Sequence, residues 1–234
     1  MTRPRDFIRR SPIYRRLESA GATFEERGGA GVAASYGRPL EEEVAAARNL
    51  ALAELSPLPR IGFKGPGTPE WLDAHGVALP AAPNVALRQS DGALAARLSH
   101  DEHLVLSDLA ARGHTCARLE QAWSVASAPR CFPMPRRDTH FWYLVSGVSA
   151  PTMLAKLCAV DLRASRFAND RVAQTSLARM NVAVIRSDLD ATPAFHVLGD
   201  SSLAEYLWPC LLDAMNEFGG APVGLRALLT MTSG

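Results

Sequence analysis

The stretch at residues 93–107, ALAARLSHDEHLVLS, decides the fold class. Two apolar runs flank a polar turn at Ser99 to Glu102, which is a pattern typical of an antiparallel β-hairpin. Other short extended segments alternate along the chain with segments that carry helix-capping and helix-stopping residues. The sequence therefore predicts an α+β protein in which helices pack on mainly antiparallel sheets.

Outward from the hairpin, helical segments begin at residues that suit a first turn. Ser11-Pro12 places a cap before a proline, and Glu41 to Glu43 place three acids beside a helix N-terminus. Ser201 or Ser202 is predicted to cap the last long helix. The predicted helices lie at 11–21, 39–50, 68–76, 150–157 and 201–219, and further extended segments lie at 22–37, 52–63, 141–145, 182–185 and 194–198.

A change in composition at residues 126–138 predicts a division of the chain into two lobes. This segment carries three prolines and three arginines, which is typical of a boundary between folded units. Six arginines against one acid, Asp6, in the first 16 residues predict a basic arm that is either solvated or docked on a partner. The predicted ranges are a basic arm at 1–10, a first lobe at 11–127, a connector at 128–138, and a second lobe at 139–234 that returns to the first.

The composition excludes several classes of protein. The 234 residues carry 25 basic and 24 acidic side chains, a net charge of +1, and 47% of them are hydrophobic. This balance fits a folded chain, and it lacks the basic excess of a dedicated nucleic-acid binder. No apolar run reaches the roughly 18–20 residues of a membrane-spanning helix, and the four cysteines form no C-x-x-C pair. We therefore expect a cytoplasmic location with reduced thiols, and neither nucleic acid nor a membrane as a partner.

Three segments match the sequence motifs of known functional sites only in part. His100-Asp101-Glu102-His103 carries metal-ligating side chains, but a hairpin turn gives them no fixed helical face, so we predict no metal site. Gly29-Ala30-Gly31-Val32-Ala33-Ala34 has the spacing of a dinucleotide-binding loop, but charged residues precede it and no helix pattern follows. The segment around Ser146 lacks the leading glycine of a nucleophile elbow. Residue chemistry alone therefore assigns no active site.

Several short segments occur in an order that is typical of one family. Ser11-Pro12-Ile13-Tyr14 and Gly21-Ala22-Thr23-Phe24 are followed by Ser35-Tyr36-Gly37 and by Ala53-Glu54-Leu55-Ser56-Pro57. In this order the sequence resembles the folate-dependent one-carbon family of the glycine-cleavage T-protein (aminomethyltransferase) and the folate-binding modules of multisubunit sarcosine oxidase. The stretches at 159–175 and 200–208 are similar to those of sarcosine oxidase gamma subunits. The resemblance spans residues 11–234, and it implies a two-lobed folate-binding domain of the T-protein N-terminal type without the C-terminal barrel.

The resemblance points to one candidate catalytic residue. Glu54 stands where T-proteins carry the essential aspartate of an Asp-Val-Ser-His motif, which contacts the reacting amine or folate. Pro222 to Met231 resembles the family's Pro-x-Gly-Leu-x-Ala-Arg-Asp-x-Leu, but Leu228 and Leu229 replace its Arg-Asp pair. Thr232 replaces the arginine of the Arg-x-Glu that follows, and the chain ends before its glutamate. The resemblance therefore implies a weakened folate site, with tetrahydrofolate as the candidate ligand and no cofactor-binding residue assigned.

The function implied by the resemblance is that of a non-catalytic, gamma-like subunit of a sarcosine-oxidase-type complex. That complex would oxidatively demethylate an N-methyl amine and pass the one-carbon unit to tetrahydrofolate on its large subunit. Its other members would be flavoprotein alpha and beta subunits, which hold FAD, FMN and NAD, and a small zinc subunit. The arginines of the arm and of the segment Pro133 to Arg137 would dock acidic surfaces of these partners.

Two other functions stay open at this point. One is a stand-alone tetrahydrofolate-dependent aminomethyl or methyl transferase that uses Glu54. The other is a folate-binding module for iron–sulfur maintenance, although the Lys-Gly-Cys-Tyr-type motif of those relatives does not occur in this sequence. The accessory subunit would assemble with flavoproteins, the transferase would bind tetrahydrofolate and transfer a one-carbon unit, and the third type of protein would bind folate as a maintenance module.

Overall fold

The computed structural model describes residues 3–232. Within this range the strands are β1 (Arg9–Arg10), β2 (Thr23–Arg27), β3 (Ala30–Ser35), β4 (Ala51–Glu54), β5 (Arg60–Lys64), β6 (Val85–Arg88), β7 (Leu94–Arg97), β8 (Glu102–Leu106), β9 (Phe132–Met134), β10 (His140–Ser146), β11 (Val172–Leu177), β12 (Met180–Arg186), β13 (Ala194–Asp200) and β14 (Ala221–Pro222). The helices are α1 (Tyr14–Ser19), α2 (Leu40–Asn49), α3 (Thr68–Ala74), α4 (Thr115–Ala122), α5 (Arg136–Thr139), α6 (Ala150–Leu154), α7 (Ala204–Met215) and α8 (Leu225–Met231). None of these helices is long and apolar enough to cross a membrane.

The strands of residues 3–232 form three sheets. A six-stranded sheet has the order β11-β12-β13-β10-β4-β14 and is antiparallel except for β14, which runs parallel to β4. A five-stranded antiparallel sheet has the order β6-β7-β8-β5-β9, and a small third sheet has the order β1-β3-β2. The predicted α+β class with mainly antiparallel sheets is confirmed, and no sheet in the described range closes into a barrel.

The hairpin that predicts the fold class is present as β7 and β8. Arg97 lies opposite His103, and the N–H of Leu98 donates to the carbonyl of Glu102 at 2.8 Å. Glu102 is therefore the first residue of β8 and not part of the turn, and His103 follows it in the strand. Boundaries shift in this way because ladder hydrogen bonds, which the sequence does not display, decide where a turn ends.

The six-stranded sheet has two apolar faces, and β10 shows the division by simple alternation. Phe141 and Tyr143 pack with residues of α1, α6 and α7. Trp142 and Leu144 point the other way, into a core shared with the five-stranded sheet. The five-stranded sheet packs its outer face on α3 and α4. Odd-numbered and even-numbered residues of a central strand such as β10 therefore face two different hydrophobic cores.

A buried carboxylate ties α8 to the start of α2. Glu43 is 1% exposed, and its two oxygens accept hydrogen bonds from the N–H groups of Tyr36 (2.6 Å) and Gly224 (2.8 Å). A Cβ at Gly224 would lie 2.1 Å from the backbone of Ala34, so glycine is needed for this close approach to β3. From the sequence, Glu43 is predicted only to interact with the helix dipole. In the structure its carboxylate satisfies two buried backbone N–H donors.

Residues 3–10 are attached to the folded body through β1 and Phe7, although most of their side chains are exposed. Arg9 and Arg10 form β1 and pair in parallel with Ala30 and Gly31 of β3. The ring of Phe7 fills the space beside Gly31, where a Cβ would lie 2.4 Å from it. Burial of the apolar Phe7 side chain favours this attachment, and a count of the arginines does not predict it. Residues 1 and 2 of the predicted arm, and 233 and 234 of the second lobe, lie outside the described residues.

The six-stranded sheet draws strands from both predicted lobes. β4, in the range 11–127, pairs with β10, in the range 139–234, with Glu54 opposite Tyr143. The connector at 128–138 contains β9 and the start of α5, and β9 pairs with β5. The division into an arm, two lobes and a connector stays a prediction.

Some elements have only weak local signals and were not predicted. These are β1, β6, β9, β11, β14, α4, α5 and α8, for which tertiary packing outweighs local propensity. The start of the last long helix also differs from the prediction. The Oδ1 atom of Asp200 accepts a hydrogen bond from the N–H of Ser202 at 2.9 Å, so the aspartate caps the 3-10 turn that leads into α7. A serine at 201 or 202 is therefore not the cap.

Candidate functional site

Glu54, the predicted catalytic residue, ends β4 in a fully buried position. The side chain is 1% exposed. Leu52, two residues earlier, packs on the α1 face of the six-stranded sheet, whereas Ala53 packs on the opposite face. Strand alternation therefore places Glu54 on the α1 face, together with Tyr143 across the ladder.

The Glu54 carboxyl is held by few polar partners. Its Oε1 atom accepts a hydrogen bond from the N–H of Ser56 at 3.1 Å, and its Oε2 atom has no hydrogen-bond partner in the described structure. Burial raises the pKa of Glu54 to about 7, because the charged form loses its hydration. The polar groups of Ser56 and Ser11 and the charge of Arg60 oppose this rise. The carboxyl therefore changes its protonation state near neutral pH.

Two tyrosines complete the surroundings of Glu54. The hydroxyl of Tyr36 is buried without a partner, and the hydroxyl of Tyr143 donates to the carbonyl of Ala204 at 2.9 Å. The pKa of each tyrosine is raised, first by burial and then by the Glu54 charge. This compartment can hold a proton on Glu54, but its walls are the apolar core on the α1 face.

Arg60 is the second buried ion of this region, and sequence reasoning did not single it out. Only 3% of the residue is exposed. Burial lowers its pKa to about 10, while the Glu54 charge opposes this shift. Its guanidinium donates to five backbone carbonyls, which are those of Ser56, Leu58, Arg136, Arg137 and His140. The arginine thus binds the β4–β5 turn to the end of the connector.

A cavity of about 420 Å³ lies between the two large sheets, and we name it the Trp142 cavity. The indole N–H of Trp142 donates to Nδ1 of His196 at 2.9 Å, and both residues line the cavity. Burial lowers the pKa of His196 to about 3, so this imidazole stays neutral. Because Trp142 packs on the face opposite to Tyr143, the cavity and the Glu54 carboxyl lie on different sides of the six-stranded sheet.

The carboxylates of the Trp142 cavity are unequally available. Both oxygens of Asp188 accept hydrogen bonds from the Arg186 guanidinium, at 2.8 and 2.7 Å. Both oxygens of Asp108 accept backbone N–H groups of the loop that follows it. The Asp190 carboxylate, exposed where it lines the cavity, has no hydrogen-bond or salt-bridge partner within residues 3–232 and can accept the N–H edge of a heterocycle.

The histidine-rich turn of the hairpin does not gather metal ligands. No group of three or more potential ligands occurs within residues 3–232. His103 is 1% exposed in β8, and neither ring nitrogen has a partner. Burial, followed by the charge of Arg97, lowers its pKa to about 4. The motif therefore separates into exposed His100 and half-buried Asp101 in the turn, and Glu102 and the neutral imidazole of His103 in β8.

We expect that replacing His103 with leucine stabilises the protein in mild acid. The folded pKa of about 4 lies below the ordinary 6.5, so the unfolded chain takes up a proton first as the pH falls. At pH 5 this proton uptake lowers the free energy of unfolding of the wild type by about 2 kcal/mol, and the leucine variant does not have this loss. Urea unfolding at pH 5 and pH 8 measures the difference. His100→Gln, at the exposed neighbouring histidine, is the matched control, and an equal gain for His103→Leu at both pH values would contradict the prediction.

The fold defines a class. The α+β architecture with two large sheets is that of T-protein-like folate-binding domains. Comparison with known proteins in sequence and in fold confirms the resemblance to this family.

The particular relatives are aminomethyltransferases. The chain is 25% identical to the aminomethyltransferase of Saccharopolyspora erythraea over 234 residues, which covers 95% of this chain and 62% of the relative. It is 25% identical to that of Acidobacterium capsulatum over 238 residues, with 94% and 60% covered. The chain therefore spans about three fifths of the length of these relatives. No family model matches the sequence.

Two solved structures share the fold. A chain of the heterotetrameric sarcosine oxidase from a Corynebacterium species, in complex with pyrrole 2-carboxylate, matches with a TM-score of 0.62 and 23% identity, over 78% of this chain and 93% of that one. The glycine cleavage system aminomethyltransferase T from Bartonella henselae matches with a TM-score of 0.71 and 17% identity, over 96% of this chain and 62% of that one. At these identities the likeness concerns the fold.

Proposed function

We propose that this chain is a non-catalytic, gamma-like subunit of a sarcosine-oxidase-type flavoenzyme complex. The observation that carries the proposal is the position of Glu54. Its carboxyl is buried on one face of the six-stranded sheet, and the Trp142 cavity opens on the other. A general acid or base must lie within hydrogen-bond reach of the reacting group. Glu54 is therefore a structural acid in this proposal, and the chemistry belongs to partner subunits.

The extent of the likeness supports the same proposal. The match covers 93% of the sarcosine oxidase chain but only about three fifths of each aminomethyltransferase. In the proposed complex, alpha and beta flavoprotein subunits hold FAD, FMN and NAD, and a small zinc subunit completes the assembly. The complex would oxidise an N-methyl amine in the cytoplasm, and tetrahydrofolate would accept the one-carbon unit.

Co-expression with candidate flavoprotein subunits tests the proposal. We expect this chain to elute with them as one complex that has a flavin absorption spectrum, whereas the chain purified alone has none. Glu54→Gln is expected to leave amine turnover by the assembled complex within about twofold of wild type, because the carboxyl lies away from any reacting atom. A chain that stays a flavin-free monomer in the presence of those subunits argues against the complex.

A second function is favoured by a different observation. The Trp142 cavity offers an aromatic wall with Asp190 as a carboxylate. This cavity fits a stand-alone tetrahydrofolate-dependent aminomethyl or methyl transferase in which Asp190 would hold the N–H edge of the pterin, whereas Glu54, on the other face of the sheet, would not contact that ligand. When bound, tetrahydrofolate would supply the nitrogen that accepts the one-carbon unit.

Calorimetry on the full chain distinguishes the two functions. The transferase requires tetrahydrofolate binding by the isolated protein, weakened by Asp190→Asn. The accessory subunit predicts no heat of binding at micromolar protein concentration. Binding that is lost in Asp190→Asn but kept in Glu54→Gln would assign the Trp142 cavity to folate while leaving Glu54 a structural acid.

A further inference from the structure

The two arginine-rich segments of the sequence meet in one cavity. Arg9 and Arg10 of β1 and Arg137 of α5 line a space of about 320 Å³, which we name the Arg9–Arg137 cleft. The Nη1 atom of Arg9 donates to Oδ1 of Asp138 at 2.5 Å, across 129 positions of the sequence. The basic arm and the connector, which are far apart in the sequence, therefore line the same cleft.

The cleft has an unbalanced positive charge. Asp138 is the single carboxylate among its lining residues, and it pairs with Arg9. Within residues 3–232, neither Arg10 nor Arg137 forms a salt bridge. Burial lowers the pKa of His140, which also lines the cleft, to about 4, so this imidazole is neutral. Three arginines and one aspartate thus leave a net charge of +2.

The guanidinium groups retain unused donors. The Nε atom of Arg137 is buried without a hydrogen-bond partner, while its Nη2 atom donates to the carbonyls of Gly28 (3.2 Å) and Pro57 (3.4 Å). The Arg10 guanidinium lies 4.8 Å above the ring of Tyr14, which orients it. An arginine with its side chain positioned in advance loses little entropy when it binds a ligand.

Two of the three serine hydroxyls that line the cleft donate to acceptors of the protein, and the third, that of Ser56, accepts from the N–H of Trp142. Ser201 donates its proton to the carbonyl of Asp138 at 3.1 Å, and Ser202 donates to Asp200 at 2.7 Å. The charged donors of the cleft are those of the arginines. Positive charges held close together also repel one another, since Arg9 lowers the pKa of both Arg137 and Arg60 after the larger effect of burial. A bound anion would relieve this repulsion.

We propose that the Arg9–Arg137 cleft binds a small oxyanion, the phosphate or carboxylate group of a ligand, between Arg10 and Arg137. A planar guanidinium presents two parallel N–H groups, which match two oxygens of such a group. The volume of about 320 Å³ leaves room for the rest of a small metabolite beside the anionic group. This site does not depend on the proposed function, because it is formed by this chain alone.

Thermal unfolding of the full chain tests the site. Inorganic phosphate is expected to raise the melting temperature more than chloride does at equal ionic strength, because it binds the folded state only. The apparent Kd for phosphate is expected to weaken about tenfold in Arg137→Gln, which loses a charged donor. Arg10→Gln is expected to weaken it severalfold. Because Arg10 is exposed, this variant tests the site even if Arg137→Gln folds poorly.

Arg112→Gln is the matched control for the loss of one positive charge. This exposed arginine lies outside the cleft, so its variant should keep the wild-type response to phosphate. Citrate, tested in parallel, distinguishes a carboxylate ligand from a phosphoryl ligand by which anion gives the larger shift. Equal shifts in phosphate, citrate and chloride, or wild-type shifts in both Arg10→Gln and Arg137→Gln, would overturn the proposal.

Discussion

Replacing Arg60 with alanine is expected to lower the free energy of unfolding by about 3–5 kcal/mol, which is the range for an uncompensated buried ion or its partners. The guanidinium donates to five backbone carbonyls from two distant parts of the chain. Alanine leaves these carbonyls in a site that water reaches poorly, since Arg60 is only 3% exposed. Urea unfolding at neutral pH measures the change.

The Arg60 prediction has two controls. Arg112→Ala removes an exposed arginine and is expected to change stability by less than about 0.5 kcal/mol. Arg60→Lys keeps the charge, but its compact ammonium cannot reach five carbonyls, so it should recover only part of the loss. Trypsin should also cut the connector at 128–138 faster in Arg60→Ala. If Arg60→Ala unfolds at the same urea concentration as Arg112→Ala, the guanidinium does not hold the connector.

Replacing Glu54 with glutamine is expected to stabilise the protein at pH 8 by about 3 kcal/mol and at pH 5 by less than about 1 kcal/mol. Burial raises the pKa of Glu54 from the ordinary 4.5 to about 7. Between these values the folded chain holds a proton that the unfolded chain has lost. This carboxyl therefore makes the protein less stable as the pH rises through that window, and the loss is complete above it. Glutamine carries no charge to desolvate.

The wild-type profile alone does not isolate Glu54, because buried histidines act in the opposite direction. The pKa values of His103 and His140 are lowered to about 4, and that of His196 to about 3. Their contribution to stability is present above pH 6.5 and is lost as the pH falls toward these values. The difference between Glu54→Gln and wild type at each pH removes this shared background.

Glu42→Gln supplies the matched control for Glu54→Gln. Glu42 is exposed on α2, so its neutralisation should change stability by less than about 0.5 kcal/mol at any pH. Unfolding free energies are to be measured in urea at intervals from pH 5 to pH 8. A gain for Glu54→Gln that is the same at every pH would mean that the carboxyl is not protonated in the fold near neutrality.

The periodicity of the sequence predicts most of the longer elements. The hairpin at residues 93–107, the helix after Pro39 and the strand at 141–145 are present because their apolar spacing, caps and turns agree with one another. β6, α4 and α8 are not predicted, because short elements of this kind depend on the faces they cover. The arm at 1–10 shows the same limit, since its arginines dominate the composition while Phe7 provides the packing.

Glu54 as a site residue stays a prediction of the sequence. The resemblance rests on the order of short motifs along the chain, and this order can be read from the sequence. It assigns the family's acidic position to Glu54, which lies at the end of β4. Its accessibility depends on which face of the sheet it enters and on what covers that face. Arg60 lacks a motif of its own, because the carbonyls that it binds come from Ser56 and Leu58 on one side and residues 136–140 on the other.

The sequence by itself determined the α+β class, the family resemblance and the identity of the candidate acid, because these follow from local patterns and their order. Only the tertiary structure decided that Glu54 is buried away from the Trp142 cavity, that Arg60 anchors the connector, and that Arg9 and Arg137 share one cleft. Each of these depends on contacts between segments far apart in the chain, which no local pattern encodes.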